Sequence, residues 1–154
     1  MMYTIGSRVV HPCHGAGIIV DVEEKCIGET SHQYYVIDIA GSPHETQVMV
    51  AVKRAANVGL RGVGRLTALR GILEGCSEEP AEDEIERDYR KRRAIVNEQL
   101  KSGSFHAVAN MVRNLTFMDS QRRLGFTDRV ALDNGKQMLA AELALAAREE
   151  ITQA

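Results

Sequence analysis

The chain has 154 residues, of which 44% are apolar, 26% are charged and 5% are aromatic, with no tryptophan. This length and apolar content predict one globular core or two small ones, and the scarcity of aromatic residues disfavours a carbohydrate-stacking surface or an aromatic cage. The formal net charge is -2, so a nucleic-acid-binding protein is expected only if the charges are unevenly distributed.

The charges are in fact unevenly distributed along the chain. Residues 74–84 carry six acidic residues and no basic one, whereas residues 85–123 carry nine Lys and Arg against four Asp and Glu, a local surplus of +5. Residues 124–154 return to -2, with three basic residues against five acidic ones. A basic zone therefore lies inside a nearly neutral chain.

The first residues have neither the basic leader nor the apolar core of a secretory signal peptide, and no apolar run approaches the ~20 residues of a membrane span. Cys13, Cys26 and Cys76 are odd in number, widely spaced and never in a Cys-x-x-Cys pair, which is typical of free thiols in a reducing compartment. We therefore expect a cytoplasmic protein with no disulfide framework and no membrane partner.

Short β-rich segments dominate the first 60 residues, separated by clusters of Gly, Pro, Ser and His. They lie at residues 8–11, 17–22, 33–39 and 47–52. Hairpin loops are predicted at residues 25–32, around Gly28, and at residues 41–44. The pattern predicts a small antiparallel barrel or a strongly bent sheet.

Six side chains of this half could together ligate a metal: His11, Cys13, His14, Cys26, His32 and His44. Structural zinc sites usually pair ligands two to four residues apart at both ends of a loop, and only residues 11–14 have that spacing. Turn-forming and hydrogen-bonding roles are therefore favoured over a metal site. A nucleophile paired with a histidine is possible, but any chain with five His and three Cys offers such pairs. We predict no cofactor, metal or catalytic residue.

After residue 60 the apolar residues follow a helical period. The first helix, with Leu66, Leu69 and Leu73 on one face, is predicted to end at Gly75, and the second at Ser102-Gly103. A third helix is predicted to be capped by Ser104, and a fourth, capped by Thr127, runs into the Ala-rich residues 142–147. Four helices with short loops predict a compact bundle over residues 63–154.

The second of these helices is predicted to start within residues 82–93, because five acidic residues among its first seven suit a helix N-terminus. Ile85, Tyr89, Val96 and Leu100 recur at helical spacing, which places Tyr89 at the border between an apolar stripe and a cluster of cations. Two interpretations stay open. Tyr89 is half buried in the core beside a solvated charged face, or it is an exposed aromatic that binds nucleic acid together with the cations.

The N-terminal motifs resemble those of a known family. The order His11-Pro12-Cys13-His14-Gly15-Ala16-Gly17, then Tyr34-Tyr35-Val36-Ile37, then Val50-Ala51 and Gly59-Leu60-Arg61 is similar to the start of the CarD/CdnL bacterial transcription regulators. In that family this half is a Tudor-like domain, related to the polymerase-binding domain of the transcription-repair coupling factor, and docks on the RNA polymerase β subunit. The resemblance implies the same fold and partner for residues 1–62.

An exposed strand edge is the physical mode by which such a domain would dock, and the resemblance implies residues 46–52 as the strand. The implied polymerase-binding residues are Thr46, Gln47, Val48, Met49, Val50 and Ala51. The family usually has Val-Pro where this chain has Val50-Ala51, and some members have Arg in place of Met49. Ala51 keeps a backbone N–H and Met49 offers an adaptable apolar contact, so an altered affinity is expected rather than a lost interaction.

The resemblance continues to the Glu142-Leu143-Ala144-Leu145-Ala146 segment and covers nearly the whole chain. Aligned on Leu100-Lys101-Ser102-Gly103, Tyr89 lies where other members carry a Trp that wedges beside the upstream edge of the opened promoter. The implied DNA-binding residues are Tyr89, Arg90, Lys91, Arg92 and Arg93. Tyr can stack on a base but fills less space in a splayed base step than Trp.

The sequence thus predicts a non-enzymatic α+β protein of two domains, a Tudor-like small antiparallel β-barrel over residues 1–62 and a compact bundle of four helices over residues 63–154. It is expected to act as a monomer in the cytoplasm, associated with the nucleoid through RNA polymerase. There it would stabilise the promoter open complex by weak contacts to DNA that do not read sequence. The alternatives are a docking module without DNA contact, with Tyr89 buried, and a metal-binding protein or enzyme that uses the His and Cys residues.

Overall fold

The N-terminal half forms one antiparallel sheet in the computed structural model, which describes residues 2–40 and 46–153, with side chains described up to residue 148. Its strands are β1 (Arg8–His11), β2 (Gly15–Ile27), β3 (Thr30–Ile39), β4 (Gln47–Ala51) and β5 (Arg61–Gly62). A 3-10 turn (Val52–Arg54) and the short helix α1 (Ala55–Val58) connect β4 to β5. Across the sheet the strand order is β4-β3-β2-β1-β5.

Within the described residues the sheet is open, because β4 pairs only with β3 and β5 pairs only with β1. The barrel predicted from the sequence is therefore corrected to an open sheet of five strands. One reason is the length of β5, whose two residues pair only with Val9 and Val10. A register irregularity between Ile19 and Asp21 interrupts β2, and such bulges increase strand twist.

The hairpin of β2 and β3 is longer than predicted. Residues 25–27, assigned from the sequence to a loop, pair with residues 30–32, so that Ile27 faces Thr30. Only a two-residue turn separates the strands, and Gly28 has a φ of 65° at its first central position, as in a type II′ turn. The loop predicted at residues 41–44 lies outside the described residues.

The core of the sheet consists of side chains that alternate along the strands. It contains Val9, Ile19, Tyr35, Ile37, Val50, Ala55 and Leu60, all buried. The partly buried Val48 and Val52 pack against it, so the predicted alternation of residues 48, 50 and 52 is confirmed. Met49 consequently points to the opposite face of β4.

Four helices follow the sheet: α2 (Leu66–Gly75), α3 (Tyr89–Lys101), α4 (Phe105–Gln121) and α5 (Phe126–Gln153). All four contribute to one shared core of Leu69, Val96, Phe105, Val108, Ala109, Met111, Leu115, Leu132, Leu139 and Ala146. The Ser104 hydroxyl accepts a hydrogen bond from Ala107 N at 3.1 Å, which confirms the predicted cap. Helix α5 begins at Phe126, so Thr127 is inside the helix and does not cap it.

The start of α3 differs from the prediction. Residues 82–84 form a separate 3-10 turn, and the helix begins at Tyr89 with Asp88 as its N-cap. The Asp88 carboxylate accepts hydrogen bonds from Arg90 N at 3.0 Å and Lys91 N at 3.1 Å, which satisfies two of the unpaired N–H groups of the first turn. Ile85 therefore lies outside the helix, and it shares no helical face with Tyr89.

Helices α4 and α5 approach closely at Gly135. A Cβ atom built on this residue would clash with Met111 Cε and lie 2.9 Å from Val112 Cγ2. Glycine is thus required for the packing distance between the two helices. None of the described helices has the length and apolarity that a membrane span needs.

The sheet and the helices share a third buried cluster, in which Val10 and Ala16 of the sheet pack against Leu145 of α5. Beside it, the Arg61 guanidinium binds the Glu142 carboxylate at 2.7 and 2.9 Å, and the same carboxylate accepts a hydrogen bond from Gly64 N at 3.0 Å. Arg61 Nε also donates to Gly103 O at 2.6 Å, immediately after α3. The two halves of the chain are joined by apolar packing and by a buried ion pair.

Candidate functional site

The first predicted surface is the edge of the sheet formed by β4. All six predicted residues are described, and five of them, from Gln47 to Ala51, form the strand. Gln47 and Met49 are exposed, Val50 is 4% exposed and belongs to the core, and Thr46, Val48 and Ala51 are of intermediate exposure. The side chains that can meet a partner directly are therefore those of Gln47 and Met49.

The backbone N–H and C=O groups of β4 point alternately toward β3 and away from it. Ile39 N donates to Thr46 O at 2.9 Å, and hydrogen-bonded and non-bonded pairs alternate along an antiparallel ladder. The register pairs Val48 with Ile37 and Met49 with Val36. The backbone groups of Gln47, Met49 and Ala51 are consequently the ones directed away from β3, toward the free edge in the described part of the sheet.

The second predicted surface is the first turn of α3. Tyr89 is its first residue and is 47% exposed. In the described part of the chain, Tyr89 is not among the residues that form the helical core or pack against it. Ile85 is buried instead, at 8% exposure, and lines the same cleft as Val96. Tyr89 is thus available at the surface.

Arg92 holds the Tyr89 ring from one side. Its guanidinium carbon lies 5.7 Å from the ring centroid, within the range of a cation-π contact. The guanidinium is itself bound by the Asp128 carboxylate of α5 at 2.8 and 3.2 Å, and it donates to the carbonyl oxygens of Glu86 and Arg87, at 3.3 Å each. The side chains of Arg92 and Asp128 are only 13% and 9% exposed.

The four predicted DNA-binding cations therefore divide into two groups. Arg90, Lys91 and Arg93 are exposed, and none of them has an ion-pair partner among the described residues. Arg92, in contrast, has its hydrogen-bonding capacity occupied by the protein. Its position fits an orienting role for Tyr89 better than a phosphate contact.

Sequence reasoning missed Asp128, the buried partner of Arg92. It lies 36 positions further along the chain and in the first turn of α5. The available signal was its place near a helix N-terminus, which does not identify a partner on another helix. The pairing becomes evident only from the packing of α3 against α5.

Among the described histidine and cysteine residues, His11 and His14 lie together, with ring centroids 4.8 Å apart, and His44 lies outside the described residues. In the part of the chain that the structure describes, no three His, Cys, Asp or Glu residues are grouped as metal ligands would be. His11 Nδ1 accepts a hydrogen bond from Cys13 N at 3.1 Å, while Cys26 and His32 belong to the β2–β3 hairpin. Burial, and to a lesser extent the neighbouring His14, lowers the pKa of His11 below its ordinary value.

Comparisons with known proteins agree with this architecture. A family model described as the CarD-like/TRCF RID domain matches residues 3–64, and a model of the CarD C-terminal domain matches residues 73–154. A Bacillus subtilis (strain 168) protein named "Putative transcription factor YdeB" is 32% identical over 142 residues, which are 92% of this chain and 90% of that protein. The two models together account for both halves of the molecule, so the chain belongs to the CarD/CdnL-like family of transcription regulators, which are not enzymes.

Proposed function

We propose that this protein docks on the RNA polymerase β subunit through the free edge of β4 and stabilises the promoter open complex through Tyr89 and the neighbouring cations. The family assignment supports a transcription regulator that interacts with RNA polymerase. The surface assigned to each partner is the one that the family resemblance implies, and the residues at that surface support the assignment. The observation that carries the DNA contact is the exposure of Tyr89 beside three cations that have no ion-pair partner among the described residues.

The polymerase contact is argued from β4. Its outward backbone groups at Gln47, Met49 and Ala51 can pair with an added strand, which is a common way to bind an extended segment. Met49 is 39% exposed on the face away from the core and can adapt to an apolar neighbour. We assign Thr46 to Ala51 as the docking strand on this basis.

The DNA contact is argued from charge and shape. Arg90, Lys91 and Arg93 can bind phosphates, which fixes position without reading sequence. The exposed Tyr89 ring can stack on a base that has left the helical stack, a contact worth roughly 1 to 3 kcal/mol per base. Arg92 and Asp128 hold the Tyr89 ring in place, so the side chain loses little conformational freedom on binding.

The two contacts together act on an equilibrium. Melted DNA at the upstream edge of the bubble offers an unstacked base to Tyr89, whereas closed duplex does not. The protein therefore binds the open state more tightly and shifts the closed-to-open equilibrium by that difference in affinity. No chemical step is involved.

Open-complex lifetime and polymerase binding test the proposal separately. Tyr89→Ala should shorten the lifetime of the open complex and leave capture by the β subunit unchanged. Met49→Glu should weaken capture by the β subunit, because a charge is placed on the docking strand. Val20→Glu is the matched control, since Val20 is 40% exposed on β2 and should leave capture intact.

Two outcomes would contradict the assignment. Unchanged capture by Met49→Glu would remove β4 from the interface. An unchanged open-complex lifetime with Tyr89→Ala would leave the second candidate function, a polymerase-docking module that makes no DNA contact through this tyrosine.

A further inference from the structure

Phe126 is the most exposed large apolar side chain described outside the N-terminal segment. It is the first residue of α5 and is 84% exposed. Burial of a Phe side chain stabilises a fold, and this contribution is absent here. Sequence reasoning passed over this residue because it directly follows the loop between α4 and α5.

The loop before Phe126 is held in place. Leu124 packs against the helical core, and its backbone N–H donates to Asp119 Oδ1 at 3.1 Å. Two residues after Phe126, Asp128 binds Arg92. Phe126 is thus fixed between two anchored residues and still directed into solvent, so its exposure is a property of the folded backbone.

Phe126 lies at the same end of the helical domain as Tyr89. The Tyr89 ring contacts the Arg92 guanidinium, which binds Asp128 in the first turn of α5. Arg93 and Thr127 line one cleft between α3 and α5. The two aromatic residues therefore lie at neighbouring helix starts, which the Arg92–Asp128 ion pair joins.

The charges around Phe126 are positive and unpaired. Arg122 and Arg123 are the first two residues of the loop between α4 and α5, are exposed, and form no ion pair within the described part of the chain. Two nearby carboxylates are paired with arginines, Asp119 with Arg129 at 3.0 Å and Asp128 with Arg92, whereas Asp88 caps α3 and keeps its charge. The net unpaired charge of this surface is positive, which favours a polyanion over an apolar protein surface.

We propose that Phe126, Arg122 and Arg123 form a second contact to promoter DNA, in which the phenyl ring stacks on an unstacked base and the two guanidinium groups bind neighbouring phosphates. This inference rests on the proposed function and extends it from one aromatic residue to two. Two stacking residues at one end of the domain can hold two separated nucleotides of the melted segment. Stacking tolerates any base, so the second contact also reads no sequence.

The test is binding of the full-length protein to a labelled forked DNA, a short duplex that ends in two single-stranded tails, at low salt. Phe126→Ala should weaken binding to the fork roughly 5- to 100-fold, with little effect on a blunt duplex and an unchanged melting temperature. Phe126→Tyr should retain the affinity. Val130→Ala is the matched control, because Val130 lies one turn further along α5 and is 40% exposed.

The two arginines are tested by salt dependence. Replacing both Arg122 and Arg123 by Gln should reduce the slope of the logarithm of affinity against the logarithm of salt concentration by about 1.4 to 1.8. An unchanged slope would show that neither arginine binds phosphate and would overturn that part of the inference.

The outcomes separate this inference from the proposed function. If Tyr89→Ala weakens fork binding and Phe126→Ala does not, the second contact is refuted and the first stands. If only Phe126→Ala weakens it, the second contact is supported and the Tyr89 wedge is refuted. If Phe126→Ala keeps fork affinity but loses capture by polymerase, the residue contacts protein and the inference is overturned.

Discussion

The ion pair between Arg61 and Glu142 should be the largest polar contribution to the join between the two domains. The Glu142 side chain is 4% exposed and the Arg61 side chain 33%, so the two partners differ in access to water. Removing one partner of a buried pair is strongly destabilising, because the other charge is left without compensation. The cost should therefore depend on which partner is removed.

The difference in exposure between Arg61 and Glu142 sets the loss of stability expected for each variant. In Glu142→Ala the remaining Arg61 guanidinium can still reach water, so we expect a loss of about 3 kcal/mol in the free energy of unfolding. In Arg61→Ala the Glu142 carboxylate stays buried with Gly64 N as its remaining partner among the bonds described, and we expect about 4 to 5 kcal/mol. A loss of 3 kcal/mol corresponds to a fall of roughly 6 to 12 °C in melting temperature for a chain of this size.

Urea unfolding of both variants, monitored by circular dichroism, measures these losses. Arg87→Ala is the control, because the Arg87 and Glu82 side chains are 55% and 79% exposed and such a pair contributes at most about 1 kcal/mol. Losses below about 1 kcal/mol for both buried-pair variants would refute the reasoning. A larger loss for Glu142→Ala than for Arg61→Ala would refute the argument from water access.

Three further predictions concern Asp128, His11 and the binding of duplex DNA by the free protein. Asp128→Ala should lower the melting temperature and also shorten the open-complex lifetime, because Arg92 then no longer holds Tyr89. A normal lifetime with the folded variant would exclude a role for Asp128 in positioning Tyr89. Burial lowers the pKa of His11 in the folded chain. At pH values below the ordinary histidine pKa of about 6.5, the unfolded chain therefore binds more protons than the folded chain. Because of this difference, His11 should reduce the free energy of unfolding as the pH falls through about 6.5. Urea unfolding across pH 5 to 7.5 should thus show a smaller loss for His11→Asn, which keeps an acceptor for Cys13 N; identical pH profiles would contradict this. The free protein should bind duplex DNA weakly, with an affinity that falls as salt is added, because it neutralises few phosphates. Tight, salt-resistant binding in a titration would contradict the view that polymerase must hold the protein close to the DNA.

Local chemistry explains which elements the sequence predicted well. The end of α3 at Ser102 and Gly103 and the cap at Ser104 depend on residues within one turn of the backbone. The start of α3 was missed because several acidic residues in succession could each have occupied the N-cap. Asp88 fills that position in the structure. Which acidic residue becomes the N-cap depends on the packing of the buried Ile85 before the helix.

The site was only partly predictable for a similar reason. The exposure of Tyr89 follows from the position of the helix start, which the apolar spacing of residues 85, 89 and 96 misrepresented. The engagement of Arg92 depends on a carboxylate 36 positions away, and the sequence holds no signal for the angle at which α3 and α5 cross. The β2–β3 hairpin was underestimated because its tip is exposed on both faces, so the alternation that identifies a strand is lost there.

The join between the sheet and the helices has a consequence for affinity at a distance. Three residues separate the end of β5 at Gly62 from the start of α2 at Leu66, and the buried cluster with Leu145 leaves no flexible tether between the halves. In the proposed function, docking of β4 would present Tyr89 within a small volume, so its effective concentration at a matching DNA site would be high without strong intrinsic binding. A change that loosened the join would leave both contact surfaces intact and still reduce occupancy of the DNA site.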